Sequence, residues 1–366
     1  MSTAGAVRPR RIPALDVLRG LAIVGVTADH LLAACALRDA LPYWLHLPVS
    51  TLLRVATPLF FFVFGFLLEV VYCRPERQGV TRRLLIRSAQ CATGYAAICL
   101  APLLVGLWDW SQAWRAVAGF GGSRYGDVLK FYALALVVAA GVVALRRRHG
   151  SLVWSAVLVA ALSAFILSDQ VPAADQAGWR HWQAVLTGWP GGESYFSLWH
   201  GWTVVASGAI CGLAANRWRD DPERILLRRR CLAVWAAACL VVLAILASKG
   251  LPAVRQDLSG EQGGRTAHSL LYYSCGVAAA SFAVAIGIWF TRRYSAIADR
   301  WGRPFVLIGR HSLLIFAGTN AVLAAFPYDI DALGVAWRWL IALASLALFA
   351  AGLWWLRLYE RKDASA

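Results

Sequence analysis

Two aspartates, an arginine and a histidine stand inside one apolar stretch, RIPALDVLRGLAIVGVTADH, as Asp16, Asp29, Arg19 and His30. A charge placed in a bilayer costs about 2.5–3.5 kcal/mol on insertion scales, so such a set must be offset by pairing or by use. On a helix, Asp16 and Arg19 are three positions apart and share a face on which they can pair. His30 lies eleven positions beyond Arg19, rotated from it by only about 20° and displaced by about 16 Å along the axis. One face therefore carries a carboxylate and guanidinium near one membrane surface and an imidazole toward the other. That is an anion clamp followed by a general base. Asp29 points about 100° away from His30 and leaves the row. The competing reading has Arg19 snorkelling to the interface and His30 satisfied as an interfacial polar residue.

Later stretches add candidates. TLLRVATPLFFFVFGFLLEVVY holds Arg54 and Thr57 near one end, a possible kink at Pro58 and Glu69 near the other end. Run antiparallel to the first helix, it brings Glu69 to the depth of Arg19, where Glu69 pairs either with Arg19 or with the basic loops. Gly65 in that stretch permits close helix approach. RPFVLIGRHSLLIFAGTNAVLAAF carries Arg310, His311 and Ser312, then Thr319 and Asn320. A second guanidinium at the depth of Arg19 suits a phosphate, which arginine binds in forked fashion, although positive-side anchoring accounts for Arg310 as well. His200, in SYFSLWHGW, is a second acid or base candidate or a structural interfacial histidine. His268, Tyr272 and Tyr273 are weaker candidates. The chain has no G-x-x-x-x-G-K-[ST], G-x-G-x-x-G, H-E-x-x-H or G-x-S-x-G.

The elements that must position these groups are membrane helices. Of 366 residues, 59% are hydrophobic and 15% charged, with a mean hydropathy of +0.57. That excludes an ordinary soluble domain. At about 20 residues per crossing, the pattern predicts an all-α bundle of ten spans near 14–36, 50–72, 84–106, 129–145, 152–168, 197–215, 231–248, 270–291, 304–326 and 336–357. With both termini cytoplasmic, 24 of the 36 Lys and Arg residues fall on the inner side. The net charge of +16 is then a topology signal and an attraction to anionic lipid, with no nucleic acid implied. The expected organisation is a basic cytoplasmic tail (1–11), one transmembrane domain (12–358) and a cytoplasmic tail (359–366). No removable signal peptide is read at the start, and no internal repeat or matched pair of broken helices is visible.

The two long outer loops, 107–128 and 169–196, hold WDWSQAW, FGGSRYGD, WRHW and GWPGGESYF. Ring faces with polar groups suit a sugar, and equally an interfacial aromatic belt. The eight cysteines show no C-x-x-C pair and no grouping with histidine at metal-ligand spacing, which reads as small core residues with no metal site.

LDVLRGLAIVGVTADH, the FFFVFGFLL segment and GRHSLLIF together resemble the membrane acyltransferase type 3 superfamily. The likeness is greatest to the periplasmic-glucan succinyltransferase branch, and the heparan-glucosaminide acetyltransferase-like branch has a similar first helix. The resemblance is close over the first seventy residues and the GRHSLLIF helix, and elsewhere rests on span count. It implies a ten-helix core that moves an acyl group from cytoplasmic acyl-CoA to a hydroxyl of an extracytoplasmic glycan or lipid-linked acceptor. It implies no permanently bound cofactor, with acyl-CoA as co-substrate. The essential histidine of the family falls on His30, its R-G arginine on Arg19, and the G-R-H-S-L motif on Gly309 to Leu313. The usual Ser-Gly of the second helix is Phe64-Gly65 here, and no large outer domain is fused.

On this reading His30, Asp29 and Asp16 form the catalytic group, with Asp16 holding Arg19. Arg19, Arg310, His311 and Ser312 bind acyl-CoA. His200, Asn320 and Thr57 face the acceptor, and Glu69 supports the clamp. His30 acts as general base, or transiently carries the acyl group. A small-molecule or proton-coupled transporter is the rival, since it too needs charges inside a bundle. The expected location is the plasma (inner) membrane.

Overall fold

A computed structural model describes residues 13–37, 40–123, 125–172, 174, 177–188, 196–216, 224–259, 268–294, 302–327 and 330–363. The basic tail 1–11 and most of the GWPGGESYF segment lie outside the described residues. Among the described residues there are helices and turns and no strand.

The first apolar stretch forms α1 (Pro13–Ala34). The second expected span is divided into α2 (Tyr43–Arg54) and α3 (Ala56–Leu67), and α3 continues as a π-helical turn, Leu68–Tyr72. Pro58 has no N–H to give to the Arg54 carbonyl one turn back, which is where the helix breaks. Next come α4 (Val80–Leu104), the short α5 (Trp110–Val117), α6 (Asp127–His149), α7 (Leu152–Leu162), α8 (Ala164–Leu167) and α9 (Ala177–Thr187). The second half comprises α10 (Leu198–Asn216), α11 (Arg224–Ser259), α12 (Leu270–Arg293), α13 (Arg303–Arg310), α14 (Ser312–Ala324) and α15 (Val335–Asp363).

Eight of these segments are long and apolar enough to cross a membrane. Two of the ten expected spans depart from that pattern. Leu198–Ala214, within α10, is apolar but shorter. The stretch expected as one helix over 304–326 is bent by 83° between α13 and α14. His311 takes the corner, with φ −97° and ψ 23°. This bend stands alone among the described residues and makes no matched pair.

The core is set by small residues. Along α10 nearly every side chain between Gly201 and Ala214 is buried. It packs on α3 so closely that a Cβ on Gly65 would run into the Val205 backbone, and one on Gly208 into the Phe62 carbonyl. Without a hydrophobic force between helices in lipid, such backbone approach is what dispersion needs. Phe61 stacks on Phe131 of α6 with centroids 3.9 Å apart, tying α6 to the same centre. At the edge, α11 and α15 turn most of their apolar side chains outward, as lipid-facing helices do.

Candidate functional site

The site grows from reciprocal glycine contacts between α1 and α13. A Cβ on Gly20 would collide with the Phe305 carbonyl, and one on Gly309 with the Asp16 carbonyl. These are the glycines of the LRG and GRHS motifs. Their packing carries the start of α14 against α1 and creates two rungs between these helices. In the first rung, the Arg19 guanidinium donates to the Ser312 hydroxyl, while Asp16 lies 3.9 Å from the same guanidinium. In the second, His30 Nδ1 is 2.5 Å from Asn320 Oδ1. Ser312 and Asn320 are eight positions apart on α14, so both rungs fall on one face of it.

The Asn320 amide is oriented by its own helix, because Nδ2 donates to the Phe316 carbonyl at 2.8 Å. The oxygen therefore faces His30. A carbonyl oxygen can only accept, so the proton of a neutral imidazole sits on Nδ1 and its lone pair on Nε2. Tyr125, in the turn before α6, covers the imidazole with ring centroids 4.6 Å apart at 32°.

Beside the first rung lies a cavity of about 220 Å³. Arg19, Arg87, Arg310 and Ser312 line it, with no carboxylate among its lining residues. Three guanidiniums without a lining acid suit an anionic ligand. The rest of the lining is largely apolar and includes Phe60, Val128, Leu129 and Phe316. Phe60 and Phe316 meet edge to face, their centroids 6.3 Å apart. Phe316, one turn of α14 before Asn320, is among the lining residues, whereas His30 and Asn320 are not.

The family model described as Heparan-alpha-glucosaminide N-acetyltransferase, catalytic, matches residues 11–226, and the model described as OpgC protein matches residues 123–362. Each spans more than half of the chain. The chain belongs to the OpgC-like membrane acyltransferases. No curated protein matches it. The two matched ranges between them include every residue of both rungs, and they extend well beyond the motifs that carry the resemblance in the sequence.

Not every residue read from the sequence of this acyltransferase gathers at the rungs. Asp16 stands with Arg19, fourteen positions or about 21 Å along the helix from His30, so it holds the guanidinium and is not part of the His30 end. Asp29 is buried beside His30 on the neighbouring face of α1. Thr57 is buried at the start of α3, where Ala56 approaches Gly25 of α1. His311 makes the corner and does not line the cavity. His200 is not brought to His30. It lies in a second buried cluster, 3.1 Å from Ser197 Oγ and stacked on His268 at 5.1 Å, on α10, which packs most heavily on α3 and α7.

Glu69 follows the loop alternative. Fully buried on the π-helical turn, it accepts from Arg146 Nη2 at 2.8 Å and Nε at 3.1 Å, and from Trp154 Nε1 at 2.7 Å. This forked pair fastens α3 to α6 and α7. The exposed Trp110, Trp114 and Trp179 turn outward, as an interfacial belt would.

Sequence reading missed Arg87 and Tyr125. Arg87 counts naturally as a loop charge, yet it lies inside the stretch 84–106 that reads as a span. That position was a usable signal. Tyr125 has none in the sequence, since its contact with His30 joins residues 95 positions apart.

Proposed function

We propose that this acyltransferase takes an acyl group from acyl-CoA on the cytoplasmic side and transfers it to a hydroxyl of an extracytoplasmic glycan or lipid-linked acceptor in the plasma (inner) membrane. The termini face the cytoplasm, which puts the Arg19 end of the bundle inside and the His30 end outside. Arg19, Arg87 and Arg310 receive phosphate groups of the donor, and its pantetheine arm extends along the cavity toward the second rung. The Phe60 and Phe316 rings part as the thioester passes.

His30 is the general base. Nε2 takes the proton of the acceptor hydroxyl as its oxygen forms a bond to the thioester carbonyl carbon. The C–S bond then breaks, and the CoA thiolate leaves and takes up a proton. Asn320 holds Nδ1–H throughout and stabilises the imidazolium that forms.

The observation that carries this reading is the pair of rungs on one pair of helices, a cation clamp and an oriented imidazole separated by about the reach of an extended thioester arm. A transporter is less well supported, because the family model that matches residues 11–226 is named for acetyl transfer. The test uses labelled acyl-CoA supplied to inside-out membrane vesicles containing wild type or His30→Ala. Label appearing in the glycan or lipid-linked fraction of wild type and lost in the variant is expected. Label retained by the variant removes His30 from the reaction, and no label from wild type removes the donor class.

A further inference from the structure

A second cavity, of about 790 Å³, adjoins the π-helical turn that follows α3. The two cavities share that turn, since Tyr72 lines the arginine-lined one while Glu69 and the adjoining Cys73 line the second. Three helices enclose the second cavity. Ile210 and Leu213 of α10 line it between Leu152, at the start of α7, and Ala233 and Val234, near the start of α11. Both α7 and α11 pack on α10, so the cavity is the space left between these two over the third.

Its charged part comes from Arg74, Arg146 and Arg230, set against two carboxylates, Glu69 and Glu76. Glu69 is committed to the fork of Arg146 and to Trp154, and Glu76 is exposed. The turn that carries Arg74 is held by Arg147, whose Nη2 donates to the Arg74 carbonyl and, at 2.7 Å, to the Arg77 carbonyl. A surplus of guanidinium on a held turn suits a phosphate group. The apolar part begins one helical turn further in, Val234 standing four positions beyond Arg230 on α11, which is long and apolar enough to cross a membrane. Leu152 is 78% exposed and Ala233 is exposed too, so the cavity opens sideways, to the space that lipid fills. A water-soluble anion would gain nothing from such walls.

We infer that this cavity is a binding site for an anionic phospholipid, its headgroup phosphate held by Arg74 and Arg230 and the first part of an acyl chain laid against Ile210, Leu213 and Val234. Basic pockets between membrane helices take anionic headgroups because both halves of the lipid are satisfied at once. The volume is that of a small-molecule pocket and admits a headgroup with its glycerol. Arg19, Arg87 and Arg310 do not line it, so it is separate from the cavity proposed for the acyl donor. The inference does not depend on acyl transfer and can be tested without it.

The experiment titrates the full-length protein, in an uncharged detergent, with phosphatidylglycerol or with phosphatidylcholine of the same chains, and reads bound lipid by native mass spectrometry. Wild type is compared with Arg230→Gln, Arg229→Gln and Ala233→Trp. Arg229 is exposed and does not line the cavity, so its variant removes the same charge from the same helix. Ala233→Trp fills the cavity from an exposed position without changing charge. Wild type should prefer phosphatidylglycerol by about tenfold, and Arg230→Gln should weaken that lipid by about fivefold, the value of one basic residue at a headgroup. Ala233→Trp should weaken both lipids, while Arg229→Gln should bind as wild type does. Arg230→Lys keeps the charge and should restore most of the affinity, which separates loss of the site from loss of the fold. Equal affinity for the two lipids, or equal losses in Arg229→Gln and Arg230→Gln, overturns the site. Displacement of the lipid by glycerol 3-phosphate, with binding unchanged in Ala233→Trp, identifies a site for soluble phosphate and overturns the lipid assignment.

Discussion

His30 Nδ1 lies 2.5 Å from Asn320 Oδ1, joining α1 to a helix 290 positions later in the chain. The amide oxygen is turned toward the imidazole because the amide nitrogen is already committed to the Phe316 carbonyl. The tautomer of His30 is thereby decided by α14, and α1 alone could not decide it.

Replacing Asn320 with Ala therefore leaves the imidazole in place without its proton assignment. Activity is expected to fall by about 10–100-fold in kcat, the scale seen for groups that orient a reacting ligand. The KM for acyl-CoA should hardly move. Asn320→Asp keeps an acceptor toward Nδ1 and should retain more activity than Ala; steady-state kinetics in proteoliposomes decide it.

Arg19 and Ser312 make the other rung, so their loss should act on donor binding. Arg19→Ala is expected to raise the KM for acyl-CoA by about 10–100-fold, the value of one charge-assisted hydrogen bond. Ser312→Ala should raise it less, since the guanidinium still meets the donor. Isothermal titration with a non-hydrolysable acyl-CoA analogue measures both.

A methyl group at Gly20 or Gly309 meets backbone, which cannot rotate aside. Gly20→Ala and Gly309→Ala are each expected to cost about 1–3 kcal/mol, as overpacking does, and to lower activity because the same contact sets both rungs. Gly318→Ala, with no atom within 4 Å of the added carbon, is the tolerated comparison. Thermal melting in detergent gives the order.

The Phe60 and Phe316 rings meet edge to face on the wall of the arginine-lined cavity, whose lining does not include His30. Phe316→Ala removes one of these rings and should allow water to reach the thioester. The expected result is acyl-CoA hydrolysis without acceptor, detected as free thiol release. The double variant with His30→Ala should lose that leak.

Burial, and then the Lys130 ammonium, lower the pKa of the His181 imidazole to about 4 from an ordinary value of 6.5, while Asp127 works in the other direction. Between these two values the unfolded chain binds a proton that the folded one refuses. This contribution is whole above pH 6.5 and lost progressively as pH falls toward 4. The melting temperature should drop over that interval, and the drop should be smaller in His181→Gln.

The sequence by itself determined that this chain is a bundle of membrane helices, because the length and composition of apolar stretches answer to bilayer thickness and to nothing further along the chain. It also determined that Arg19 and His30 share a face of α1 with Asp16 beside the arginine, since helix periodicity is local. The motif glycines were legible as residues, but not their purpose. Gly20 and Gly309 have meaning only as a pair across α1 and α13. The tertiary structure decided that Glu69 goes to Arg146 and Trp154, that His200 belongs with His268, that 304–326 is bent at His311, and that Arg87 and Tyr125 join the site. Each of these depends on which helices become neighbours, and in lipid that is settled by close packing of small residues and by partners for buried polar groups, neither of which has a signature along one helix.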